Sequence, residues 1–123
     1  MLAAATMVGF LFTIDYDKTR AFFVDKLGFQ FVSLDQWGLV MRCGGNPIRV
    51  AKIPGFTPAP GTVLGWTVSD IESALEWLRE RGVAPEKYPF MKDSEIWTAP
   101  TGDKVVWFKD PVGNILSISQ HVS

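Results

Sequence analysis

Lys104-Val105-Val106-Trp107-Phe108-Lys109-Asp110-Pro111-Val112-Gly113-Asn114-Ile115-Leu116-Ser117-Ile118 is the stretch whose reading decides the fold. Val105 to Phe108 is β-branched and aromatic, which suits a pleated, buried surface. Asp110-Pro111 and Gly113-Asn114 are turn chemistry, because Pro presets φ and Gly or Asn tolerates a positive φ. Ile115 to Ile118 then resumes an apolar run. The whole reads as strand, tight turn, strand.

Working outward, the same grammar recurs. Val8 to Ile14 is rich in strand formers, and Asp15 or Asp17 can cap the helix after it. That helix is predicted over Lys18 to Leu27, with Phe22, Phe23 and Leu27 facing inward and Gly28 ending it. Strands follow at Phe29 to Leu34, Trp37 to Arg42 and Ile48 to Ile53. The breaker cluster over residues 54–61, with its Pro and Gly, fits neither helix nor strand. Thr62 to Val68 is again a strand. Ser69-Asp70-Ile71-Glu72 fits a capping box, and Ile71, Ala74, Leu75 and Leu78 recur at helical spacing. Glu95 to Ala99, Asp103 to Lys109 and Asn114 to Gln120 complete the set.

The order is therefore βαβββ, linker, βαβββ, an α+β arrangement. The halves match by position: Phe22 lies seven residues after Asp15, and Trp77 seven after Asp70. Gly45-Asn46 precedes the last strand of one half as Gly113-Asn114 does in the other. Each half on its own leaves one sheet face bare, so pairing of the halves is expected.

Composition narrows the function. At 123 residues the chain suits one domain, of two small modules. Five Trp and nine Phe suggest a cavity or interface beside the core. A net charge of −1 without a basic block argues against nucleic acid. The single cysteine, Cys43, excludes an internal disulfide and fits a reducing cytoplasm. No apolar run is long enough to cross a bilayer, and Met1 to Ile14 lacks the basic flank of a secretion signal.

The Phe-x-Asp-Pro-x-Gly-Asn turn between two apolar strands resembles the closing hairpin of the vicinal oxygen chelate superfamily. That group holds glyoxalases, extradiol dioxygenases, and fosfomycin and bleomycin resistance proteins. Asp15 to Phe29, ending Phe-Phe-x-x-x-Leu-Gly-Phe, resembles the superfamily's first helix. The resemblance implies one glyoxalase/bleomycin resistance-like domain over residues 1–123, with modules near 7–53 and 62–121. It further implies a curved mixed sheet around a central cavity, with the helices outside, and commonly a homodimer.

In metal-dependent members, the first and last strands of each module supply the ligands, usually His and Glu. Here the matching positions are Val8, Arg49, Val63 and Ser117. Val cannot bind a metal, Arg has donors only, and Ser is a weak ligand. No cofactor or metal is therefore expected. The single histidine, His121, could join Glu95 or Asp103 in a shifted site, and a frayed terminal residue is the plainer reading.

Strand parity places Phe10, Phe12, Arg49, Thr67 and Ser117 as candidate cavity lining. Arg49 facing inward would offer a fork for a carboxylate or phosphate. Alternation of Ile48, Arg49 and Val50 leaves its side open. Trp37, Trp97 and Trp107 could stack on a planar ligand or fill the sheet core. The expected function is metal-free binding of a small aromatic or acidic compound, such as an antibiotic or metabolite. The alternatives are a glyoxalase-related lyase or dioxygenase-like enzyme with a displaced metal site, and a structural subunit with an empty cavity. No nucleophilic or acid–base constellation stands out.

Overall fold

The structure is a computed structural model that describes residues 1–122. The chain divides between Pro58 and Ala59, inside the expected linker, into two compact units. The first unit holds β1 (Gly9–Thr13), α1 (Tyr16–Arg20), β2 (Gln30–Asp35), β3 (Gly38–Cys43) and β4 (Asn46–Lys52). The second holds β5 (Thr62–Thr67), α2 (Ile71–Glu80), β6 (Trp97–Thr98), β7 (Lys104–Lys109) and β8 (Ile115–Gln120). Their sheets run β1-β4-β3-β2 and β5-β8-β7-β6, so the expected repeat of βαβββ is present in full.

In each unit the first strand pairs parallel with the last, and the other pairings are antiparallel. Alternation then sorts the side chains. Leu11, Thr13, Leu39, Met41, Ile48 and Val50 are buried in the first unit. Val106, Phe108, Leu116 and Ile118 are buried in the second, and Trp66 stacks on Phe108 with centroids 5.9 Å apart. Trp66 thus lies on the face opposite the exposed Val63.

The first helix departs from the regular α-helix expected over Lys18 to Leu27. After α1 the chain widens into a π turn, Ala21–Lys26, in which Leu27 N–H donates to Phe22 O at 3.0 Å. Phe22 and Phe23 are both buried and meet edge to face at 5.1 Å. Phe23 also meets Phe29, which is buried where Leu27 is only half-buried. Asp15 caps the helix by accepting from Lys18 N–H at 3.1 Å. Thr13 and Thr19 share a buried hydroxyl contact at 2.7 Å, tying helix to β1.

The cap of α2 is Asp70, one residue after the expected Ser69. Its Oδ1 accepts from Glu72 N–H and Ser73 N–H, and its Oδ2 from the Ser73 hydroxyl. These bonds hold its carboxyl below the usual range. Gln120 Oε1 accepts from Ile71 N–H at 2.8 Å, fixing the helix start to β8. Ile71, Leu75 and Leu78 are buried, and α2 packs on β7 and β8. The strand expected over Glu95 to Ala99 is shorter, only Trp97–Thr98. Trp37 lies outside the strands, in the β2–β3 turn that Asp35 organises by accepting from Trp37 N–H and Gly38 N–H.

The β7–β8 turn is a closed unit. Asp110 Oδ1 accepts from Val112 N–H at 3.1 Å and Asn114 N–H at 2.8 Å, and Oδ2 accepts from Asn114 Nδ2 at 2.8 Å. Gly113 takes a φ of 94°, which a side chain resists. Burial pushes the Asp110 carboxyl above its ordinary 3.8, against the bonds from Asn114, Val112 and Gly113. A raised folded-state value means the contribution is full below the unfolded-state range and shrinks as pH rises through the folded-state value. Asp110→Ala should therefore cost about 2–3 kcal/mol, since buried donors lose their acceptor. Urea unfolding at several pH values checks it, with the deficit largest at acid pH.

Candidate functional site

Each sheet has a second face, and that face carries the candidate residues. In the first unit Phe10 lies directly beside Arg49 across the parallel β1–β4 pair, and Val40 lies on the other side of Arg49. Phe10 is 62% exposed and Phe12 42%, and Arg49 is exposed with them. Leu11, Ile48 and Val50, the intervening residues, are buried. Arg49 thus points away from the core of its own unit. Phe12 also meets Phe56, with ring centroids 6.0 Å apart.

Arg42, which sequence reasoning did not single out, joins this face. It is exposed, opposite Pro47 and two residues along β3 from Val40. Diagonal neighbours on one face come within reach of long side chains. Neither Arg42 nor Arg49 makes an ion pair among the described residues, whose ion pairs involve Arg79, Arg81, Lys109 and His121. The findable signal was parity: Arg42 and Arg49 flank the Gly44-Gly45 turn at positions that share one face.

In the second unit Ser117 sits between Gly65 and Trp107 in the ladder, and Val105 lies opposite both Ser119 and Trp97. Thr67 and Val63 are exposed, on the face opposite the buried Leu116 and Ile118. A Cβ on residue 65 would lie 2.8 Å from Ser117 Oγ, so the glycine gives that hydroxyl its room. Trp97 and Trp107 meet at 5.9 Å. Tyr88 and Phe90, also missed in the sequence, complete a cluster of four rings. Both lie in a loop without periodicity, so only the aromatic flanks of Pro89 marked them.

The positions expected from the sequence to match metal ligands are Val8, which lies just before β1, and Arg49 in one unit, and Val63 and Ser117 in the other. Two aliphatic side chains, a guanidinium and one hydroxyl do not fit a divalent ion. Among the described residues no three His, Cys, Asp or Glu side chains are grouped as a metal site would need. His121 does reach Asp103, with Nδ1 3.3 Å from Oδ2, and its Nε2 meets the Ser119 hydroxyl at 3.0 Å. Glu95 goes elsewhere, to Arg79, so of the two carboxylates expected as alternatives only Asp103 meets His121. The Val122 N–H donating to Asp103 is the main cause that holds its carboxyl below the usual range.

Two open hollows lie apart from these faces. One, of about 490 Å³, is lined by Asp15, Asp17, Asp35 and Lys52 among others. Asp15 and Asp35 are committed there to a helix cap and a turn. The other, about 410 Å³, holds Glu76, Arg79 and Glu95, which pair with one another.

The Glyoxalase/Bleomycin resistance protein/Dioxygenase superfamily model matches residues 4–118. The chain belongs to that superfamily. Solved members share the fold. A superfamily protein from Sphaerobacter thermophilus DSM 20745 is 22% identical with a TM-score of 0.75, over 98% of this chain and 100% of its own. A glyoxalase/bleomycin resistance protein/dioxygenase from Alicyclobacillus acidocaldarius gives 14% and 0.76, over 98% and 93%. A lactoylglutathione lyase from Agrobacterium tumefaciens gives 20% and 0.70, over 95% and 93%. At these identities the likeness concerns the fold. No curated protein shows significant similarity to the chain. No helix among the described residues is long and apolar enough to cross a membrane.

The donor chemistry of the four superfamily positions makes a prediction. Protein purified from medium supplemented with zinc, nickel, manganese and iron should retain well under one ion per chain by elemental analysis.

Proposed function

We propose that this superfamily member is a metal-free receptor for a small aromatic acid, an antibiotic or a metabolite, acting in the cytoplasm. The observation that carries it is the pair Arg42 and Arg49, both without a carboxylate partner among the described residues, beside Phe10 on an uncovered sheet face. A guanidinium offers a planar fork that matches a carboxylate or phosphate. The Phe10 and Phe12 rings supply the apolar wall that an aromatic body needs. In the other unit, Trp97 and Trp107 offer ring faces, and Thr67 and Ser117 offer hydroxyls. Catalysis through a metal has no donor set behind it here, so binding is the better-supported role.

The exposed aromatic rings on β1 also favour a homodimer. Contiguous apolar surface on a soluble chain usually marks an interaction site. Sedimentation equilibrium should return twice the 13.7 kDa chain mass. Phe12→Arg should shift that mass towards the single chain.

Binding is tested by calorimetry with 2-naphthoate and with its cationic counterpart, 2-naphthylmethylammonium. The carboxylate should bind more tightly. Arg49→Gln should weaken it about tenfold to a hundredfold, as loss of a charge-assisted hydrogen bond requires. Arg42→Gln should act in the same direction. Equal affinity for the two probes, or indifference to both substitutions, would sink this reading.

A further inference from the structure

The Tyr88 hydroxyl is buried and has no hydrogen-bond partner among the described residues. Buried polar groups are nearly always paired, so an orphan calls for a reason. A phenol both donates and accepts, and here both capacities stand unused. The surroundings supply the reason.

Phe90 lies against the same ring. It is near-parallel to Tyr88, at 11° and 5.8 Å between centroids. It stands edge-on to Trp97 at 89° and to Trp107 at 86°, each at 5.8 Å. Tyr88 is itself edge-on to Trp107, at 76° and 5.8 Å. Three large rings therefore form walls around a fourth. Yet Phe90 remains 55% exposed, so it fills the space from the solvent side and is only half held by it.

The backbone on either side is anchored, but Phe90 is not. Met91 is buried, its Sδ accepts from Tyr88 N–H at 3.3 Å, and its own N–H donates to Tyr88 O at 2.9 Å. Directly after it, Lys92 and Asp93 both take positive φ, 51° and 68°. Two consecutive left-handed residues other than glycine are a strained arrangement, found where the surrounding structure imposes it. Neither anchor involves the Phe90 side chain, so both survive any change in where its ring points.

We infer that Phe90 is a plug in an aromatic slot of the second unit, and that a flat heteroaromatic ligand displaces it. The ligand's ring takes the place between Tyr88, Trp97 and Trp107. A neutral acceptor on its rim, a ring nitrogen or a carbonyl, meets the Tyr88 hydroxyl. Edge-to-face and offset-parallel packing are the arrangements aromatic pairs prefer, and the slot already presents both. The hydroxyl gives the slot selectivity, because a hydrocarbon of the same shape leaves it unpaired. This assignment rests on the reading that the chain binds small molecules, and it concerns the ring-recognising part of that activity.

Quinoline and naphthalene, which differ by one ring nitrogen, are the probes, followed by saturable quenching of tryptophan emission. Phe90→Ala should bind quinoline several-fold more tightly than wild type. Phe90→Leu, which keeps apolar bulk beside Met91, carries the same expectation in a smaller degree should the alanine variant fold poorly. Adding Tyr88→Phe should weaken quinoline about fivefold and leave naphthalene unchanged, the size of one neutral hydrogen bond. Unchanged quinoline affinity in both Phe90 variants overturns the plug. Equal effects of Tyr88→Phe on the two probes overturn the role of the hydroxyl. If 2-naphthoate binds through Arg49 while quinoline ignores Phe90 and Tyr88, this inference fails alone. If neither probe binds, the receptor reading fails with it.

Discussion

Parallel pairing of the first strand with the last governs what each unit can present to a ligand. It sets Phe10 beside Arg49 in one sheet and Gly65 beside Ser117 in the other. A one-residue slip in either ladder would turn these side chains into the core and bring Leu11 or Leu116 out. Register is held because the covered face is predominantly apolar around Leu39, Met41, Val50, Val106 and Leu116. The composition of the open face is therefore a by-product of the packing: its side chains are those the buried face does not use.

The carboxylates follow a different logic. Asp15, Asp35, Asp70 and Asp110 each accept from backbone amides at a helix start or a turn. Their negative charge is spent on orphan N–H groups, which is what such groups require. Arg79 draws Glu76 and Glu95 together, and Asp103 holds His121. What remains uncommitted on the open face of the first unit is positive. Local architecture thus sorts the charges by sign, which is why a nearly neutral chain can still carry a face whose free charges are positive.

The element order and the duplication were legible because both rest on local signals repeated at matching distances. Asp15, Gly28 and the Asp110–Asn114 turn each announce themselves by residue type, a capping carboxylate, a helix-ending glycine and turn formers. The π turn after α1 did not, because helix propensity does not distinguish four-residue from five-residue hydrogen bonding. Asp70 took the cap from Ser69, its neighbour and equally able by residue type, so the sequence could not separate them. Arg49 was left open by alternation, and the burial of Ile48 and Val50 sets it on the exposed face of its own unit. Tyr88 and Phe90 could not be placed, because a loop has no period from which a direction can be inferred.

β1 has one further consequence. It is the outermost strand of its own sheet. Its sequence, Gly-Phe-Leu-Phe-Thr, contains neither charge nor proline. Edges of that kind template addition of foreign strands, and natural proteins usually guard them with lysine, a bulge or a cover. Within its sheet, β1 is thus the strand whose composition does least to discourage strand addition, and a single lysine among its five residues would supply the missing guard.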